Sequence, residues 1–310
     1  MIGRRAAVWR AAPPFLPLHT MSPTASPSPL TTRDGLALHW RDWPLPAGTP
    51  SRGMVLLVHG LGEHIGRYEH VAGHLNDWGF AVCGYDHRGH GQSPGGRGAL
   101  DMEDDLLQDL SAAIERARAQ AGGAPLIVLG HSMGGVTAAH FCAGGLEQPA
   151  LAWWRPIDGL VLSSPALDAG ISAAQRMALK VGQLLPSLPT SNGLKPEWIC
   201  RDPAVVAAYV ADPLVHDRIT PRLARFIVEA GEPVIDRAAQ WTVPTLLIYA
   251  GSDRCVAPAG SDRFAAAAPK AVVTSRGFPV MAHEIFNEPE QGEVFDELRA
   301  WLDAQFPVRG

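Results

Sequence analysis

The chain has 310 residues, 46% of them hydrophobic and 18% charged, with a formal net charge of -5. That length can bury a sizeable core in one large domain with an insertion, while the mild acidic balance and the lack of a dense Lys/Arg run give no electrostatic footprint for nucleic acid and do not favour acidic substrates. Cys83, Cys142, Cys200 and Cys255 lie far apart without C-x-x-C spacing, so neither a zinc site nor a disulfide framework is indicated, and reduced thiols in a cytoplasmic protein are the expectation.

Residues 1–30 stand apart in composition: Arg4, Arg5 and Arg10 without an acid, then a Pro/Ser/Thr-rich run that reads as a disordered N-terminal extension. Arg10 and the prolines break the only candidate apolar core of a secretory signal, so translation starting at Met21 is preferred over a weak transit-like signal. No stretch approaches the ~20 apolar residues of a membrane-spanning helix.

Residues 36–43 alternate apolar and polar side chains, as an edge strand with one wet face does, and Pro44-Leu45-Pro46 stops them. Residues 54–58 are continuously apolar and read as a strand buried on both faces. It runs into His59-Gly60-Leu61-Gly62-Glu63-His64, a glycine-flanked bend able to turn a backbone N–H towards a reaction centre; a Gly-rich connection without a role is the plainer reading. A helix over 67–78 and a strand over 80–85 follow. The next turn, Asp86-His87-Arg88-Gly89-His90-Gly91-Gln92-Ser93, holds two histidines and an aspartate, which with a third histidine nearby could suggest a metal, yet no H-E-x-x-H or other ligand spacing supports one, and a hydrogen-bonded loop is expected. An amphipathic helix over 103–121 then crosses back, giving repeated β-α-β units and a parallel sheet.

The most informative stretch is the Pro125-bounded apolar run that ends in Gly130-His131-Ser132-Met133-Gly134-Gly135. Strand, tight turn and helix form the setting of the G-x-S-x-G nucleophile elbow, in which glycines two before and two after the serine avoid Cβ collisions and leave the hydroxyl exposed above the sheet. A helix over 133–144 and a strand over 157–162 come next. From 166 to 241 there are helical stretches and prolines but no buried strand, which marks an insertion. On a 3.6 period its Ile171, Ala174, Met177, Ala178, Val181, Leu184 and Leu185 share a side, opposite Ser172, Arg176, Lys180 and Gln183, with Leu179 out of pattern. Either the core covers that stripe, or Met177 and Val181 meet an acyl chain above the serine or a micelle surface. Strands over 245–250 and 271–274 and a helix over 289–305 close the chain.

A serine hydroxyl is a weak nucleophile at neutral pH, so it needs a base, and the base needs an anionic partner. Asp253 lies just past one strand and His283 in the loop after the last, both on the sheet edge that carries Ser132, and the order Ser, Asp, His is that of the α/β-hydrolase fold.

Together with Arg67-Tyr68, Asp212-Pro213-Leu214-Val215, Gly251-Ser252-Asp253-Arg254 and His283-Glu284, the H-G-x-G-E-H loop, the D-H-R-G-H-G turn and the serine elbow resemble the monoacylglycerol lipase and lysophospholipase branch of the α/β-hydrolases, grouped with the S33 serine aminopeptidases. The resemblance covers about residues 33–305. It implies an α/β core of residues 31–165 and 242–310, a helical cap of 166–241, a triad of Ser132, Asp253 and His283, and oxyanion donors in the backbone N–H groups of Leu61 and Met133. It also sets Glu63 and Arg67 near the alcohol end of the substrate, although a pair bracing a loop fits those two residues nearly as well. Two positions depart from the family pattern: Ala282 stands where an aromatic residue is common and Leu61 where a small one is, which puts the leaving-group pocket, but not the triad, in doubt.

The resulting expectation is a serine ester hydrolase of monoacylglycerol or lysophospholipid-type lipids, with no cofactor, no metal and a transient membrane or micelle contact of the cap left open. Thioester or C–C hydrolysis, acyl transfer and aminopeptidase action on the same triad are the rivals, the last requiring acids such as Glu197, Asp202 or Glu229 to face the serine. A binding module without catalysis is the rival from another class, and oligomeric state is left open.

Overall fold

The computed structural model describes residues 28–308. Its strands are β1 (Leu30–Thr31), β2 (Ala37–Leu38), β3 (Trp40–Trp43), β4 (Gly53–Val58), β5 (Phe80–Tyr85), β6 (Leu126–His131), β7 (Gly159–Ser163), β8 (Thr190–Ser191), β9 (Arg218–Ile219), β10 (Thr245–Ala250) and β11 (Val273–Phe278). Seven of them form one sheet in the order β11-β10-β7-β6-β4-β5-β3, parallel throughout except for the antiparallel edge strand β3. The helices are α1 (Glu69–Asp77), α2 (Asp105–Ala121), α3 (Met133–Gly144), α4 (Ala173–Gly182), α5 (Pro203–Ala211), α6 (Pro221–Glu229), α7 (Gly231–Arg237), α8 (Pro258–Ala267) and α9 (Gln291–Gln305).

The continuous apolar strands are explained by cover on both faces. Val55 and Leu57 of β4 join Val71 and Leu75 of α1 and Leu298 of α9 in one core, while Leu56 and Val58 join Leu110 of α2 and Val136 of α3 in another. This is the α/β-hydrolase fold: a mostly parallel sheet with helices on both faces. Its loops at the carboxyl ends of β4, β6, β10 and β11 bring the candidate residues to one edge, where open α/β sheets hold their ligands.

Three boundaries differ from the sequence reading. The alternating run 36–43 is divided, because Ala37–Leu38 pairs with Leu30–Thr31 and only Trp40–Trp43 joins the main sheet beside β5. The last strand, expected at 271–274, occupies Val273–Phe278; as a sheet edge it keeps Thr274, Ser275 and Gly277 exposed, so its pattern is polar where an apolar run was sought. The proposed N-terminal extension lies outside the described residues as far as residue 27, whereas Leu30 is buried and strand-paired. Between β7 and β10, residues 166–241 carry α4 to α7 and the two-residue ladder of β8 with β9, with no strand in the main sheet. Among the described residues no helix is long and apolar enough to cross a membrane.

Candidate active site

Ser132 sits between β6 and α3 with φ 55° and ψ -117°, a conformation that a residue with a side chain adopts only when its surroundings impose it. They do so through three bonds: its N–H donates to Ser163 O at 3.0 Å, and its carbonyl accepts from Val136 N and Ala166 N, both at 3.0 Å. The flanking glycines are obligatory. A Cβ at Gly130 would lie 2.5 Å from Gly134 O, and one at Gly134 would lie 2.2 Å from Val58 O. Met133, which follows the serine, opens α3, so its N–H is one of the amides that a helix N-terminus leaves without an intrahelical partner.

His283 and Asp253 come from the loops after β11 and β10. Nδ1 of His283 donates to Asp253 Oδ2 at 2.6 Å, and Asp253 Oδ1 accepts from Cys255 N at 2.8 Å and Val256 N at 3.1 Å. With Nδ1 engaged, Nε2 is the nitrogen left basic. Burial works to lower His283, but the charge of Asp253 and their hydrogen bond outweigh it and hold the imidazole above its ordinary 6.5. Burial also works to raise Asp253, and the His283 partnership with the two amide donors keeps that carboxyl below its usual value. A second ring, His131, lies 4.7 Å from His283 centroid to centroid. Burial, reinforced by His283 itself, drives His131 down to about 4, so it adds no charge there near neutral pH.

Ser132 and His283 both line a cavity of about 440 Å³. Its floor includes Gly60, Leu61, Glu63, His131 and Cys255, and its roof comes from residues 192–218, with Leu194, Ile199, Tyr209, Val210 and Val215 as the apolar part. Sequence reasoning missed this roof. Its signal was α5, whose nine residues Pro203–Ala211 include no charged side chain. The helix expected to supply acyl contacts, α4, has no buried residue, and Met177 and Val181 are each 61% exposed and absent from the cavity lining. The amphipathic period of α4 is real, but that helix packs on α6 and turns these two side chains outward.

Cys255 lines the same cavity, and Asp253, Cys255 and His283 form the one trio of potential metal donors among the described residues, mutually within 4.8 Å. Its Asp–His pair is already closed by the hydrogen bond above, and burial pushes the thiol up, away from the thiolate that a metal would need. The three histidines suspected from sequence bind the two loops together instead. His87 N donates to His59 Nε2 at 2.9 Å, and the rings of His59 and His87 meet edge-on at 4.5 Å. Arg88 of that turn closes a fork on Asp109 with two 2.7 Å bonds.

The family model for "Serine aminopeptidase, S33" matches residues 49–290. A monoacylglycerol lipase of Mycolicibacterium smegmatis is 38% identical over 258 residues, covering 82% of this chain and 89% of that protein, and the human monoglyceride lipase is 29% identical over 287 residues with 91% of each covered. Among solved structures, the Paleococcus ferrophilus monoacylglycerol lipase superposes with a TM-score of 0.75 at 33% identity, covering 86% of this chain and 99% of that one. A soluble variant of the Saccharomyces cerevisiae monoglyceride lipase in complex with a substrate analogue gives 0.77 at 25% identity, with 93% and 100% covered. With that breadth of match on this sheet and this serine turn, the chain belongs to the serine aminopeptidase S33 family of α/β-hydrolases.

Proposed function

We propose that the protein is a serine hydrolase of single-chain lipid esters, monoacylglycerols or lysophospholipids. Ser132 Oγ attacks the acyl carbonyl as His283 Nε2 takes its proton, and Asp253 holds the imidazole in the required tautomer and stabilises the imidazolium. The N–H groups of Leu61 and Met133 receive the charge that develops on the carbonyl oxygen. His283 then returns the proton to the departing alcohol, leaving an acyl-enzyme. Water attacks that ester with His283 again as base, and the fatty acid leaves.

The observation that carries this reading is the shared cavity: a strained serine and His283, paired with Asp253, open beneath a roof whose apolar part, Leu194, Ile199, Tyr209, Val210 and Val215, lies beside polar groups such as Asn192, Lys195 and Asp212. Such a lining favours an alkyl chain, with roughly 0.8 kcal/mol for each methylene buried. Aminopeptidase action fits less well. Glu197, Asp202 and Glu229 are not in the lining, and each carboxylate that is there has a partner: Glu63 and Glu284 with Arg67, Asp212 with His64, Asp217 with Arg218. An α-ammonium group would compete with those partners for each carboxylate. We also read residues 166–241 as a cap whose outer apolar side chains, Met177, Val181, Leu184 and Leu185 among them, touch a lipid surface when substrate is taken up.

The test is a hydrolysis panel of monoacylglycerols, lysophospholipids, short aryl esters and amino-acid amides. The expected result is kcat/KM rising with acyl length on the lipid esters. Faster cleavage of the amides than of any ester would overturn the reading.

A further inference from the structure

Arg67 does not behave as a side chain waiting for a substrate. Its Nη1 donates to Glu63 Oε2 at 2.6 Å and to Glu284 Oε1 at 2.7 Å, while Nη2 donates to Glu284 Oε2 at 2.7 Å. Glu63 is only 3% exposed, and its other oxygen accepts Gly60 N at 2.6 Å and Tyr68 Oη at 2.7 Å. Gly60 immediately precedes Leu61, and it is close to the serine: a Cβ there would lie 3.2 Å from Ser132 Cβ. Glu284 immediately follows His283, and its backbone N–H donates to Ile199 O at 2.7 Å. One guanidinium therefore ties the loop that carries Leu61 to the loop that carries His283, across 217 residues of sequence.

We propose that Arg67 is a positioning residue that locks the oxyanion loop and the histidine loop into a single register around Ser132, through Glu63 on one side and Glu284 on the other. This rests on the serine-hydrolase reading above and departs from an alcohol-binding role for Glu63 and Arg67. Arg67 is not among the residues lining the cavity at Ser132; the ring of Tyr209, which is, covers its guanidinium at 4.8 Å. Both carboxylates have their oxygens taken, which leaves little to offer a glycerol hydroxyl. Arginine suits the task because its planar fork serves two carboxylates at once, whereas a lysine ammonium is a point charge on a flexible stem. The cluster is electrostatically bound as well. Burial acts to raise Glu63, yet Arg67 and the neighbouring histidines bring it down to about 2, so the carboxylate stays ionised over the working pH range. The Glu-Arg-Glu set keeps one surplus negative charge beside His283, which favours the imidazolium formed during reaction.

The experiment uses the fact that deacylation involves water and no alcohol. Pre-steady-state kinetics on a 4-nitrophenyl ester give acylation and deacylation separately, and a glycerol ester of the same acid gives the comparison. In Arg67→Lys, which preserves the charge, both steps should fall by about tenfold or more, by the same factor for both esters and with KM within about twofold, because loosened catalytic groups slow every proton transfer. A loss confined to the glycerol ester, a normal deacylation step, or no loss at all would overturn the proposal. Should Arg67→Lys fail to fold, Glu284→Gln cuts one tie while keeping the shape, and the same equal loss in both steps is required of it. A fluorophosphonate control separates the two levels: wild type unlabelled at Ser132 strikes at the hydrolase reading, whereas a labelled wild type with an unimpaired variant strikes at Arg67 alone.

Discussion

The two helices that flank the site, α3 below it and α5 above it, are built on opposite terms. Every residue of α3 except His140 is buried, and its first turn is set against Val58, Pro165 and the end of β6. None of the nine residues of α5 is buried, although it contains no charged side chain. Each fully buried Val or Leu contributes roughly 1.5–3 kcal/mol, so the floor is held by terms that the roof lacks. Segments with few buried apolar contacts open at lower free energy than the core. Ser132 thus rests on a closely packed frame, while the roof of its cavity belongs to a segment that opens at lower free energy.

If that division holds, substitutions in the floor should affect every substrate alike and substitutions in the roof should affect some more than others. The largest effect belongs to Asp253→Asn, which leaves the shape but removes the charge that fixes the His283 tautomer: kcat should fall on the order of 10⁴-fold on long and short esters together, measured by steady-state hydrolysis. A loss that depended on chain length would place Asp253 in substrate binding.

The pH profile comes next. His283 is held above 6.5 by Asp253, so it stays protonated to a higher pH than a free imidazole, and the base is lost as pH falls. The acid limb of kcat/KM should therefore have its midpoint on the alkaline side of 6.5 and move to lower pH in Asp253→Asn. An acid limb that ignores the substitution would contradict the assignment of the base.

In the roof, Val210→Glu with Val215→Glu should lower kcat/KM for long-chain esters by about tenfold while changing a two- to four-carbon ester little, since the lost contacts are those made to methylenes. Equal losses would mean that the roof also orders the chemistry. The smallest effect is that of Met177→Glu with Val181→Glu. These side chains face outward, so hydrolysis of a soluble short ester and the melting temperature should stay near wild type, with any loss confined to substrate presented in micelles or vesicles.

The fold was legible because buried parallel strands announce themselves as continuous apolar runs ending in glycines, as at Val58-His59-Gly60 and Leu129-Gly130. Asp253 and His283 could be singled out as strand-end residues, and the structure sets them 2.6 Å apart. The roof was harder. Periodicity pointed to α4, an amphipathic helix of the insertion, but an amphipathic stripe says only that one face is apolar, not which surface it meets; α5 has no polar face and so no period to find. The bridge through Arg67 was out of reach for another reason: its partner Glu284 is 217 residues away, and no local pattern encodes such a contact. The edge strand β11 was misplaced because its wet face replaces the expected apolar run with Thr274-Ser275-Arg276-Gly277.

The central claim is that Ser132 is the nucleophile, and the most direct measurement is intact-protein and peptide mass spectrometry after treatment with an alkyl fluorophosphonate. The expected result is one phosphonyl adduct, formed with loss of fluoride, located on Ser132 in the wild type and absent in Ser132→Ala, with ester hydrolysis lost in step. An adduct on another residue, equal labelling of Ser132→Ala, or hydrolysis that survives full modification of Ser132 would contradict it.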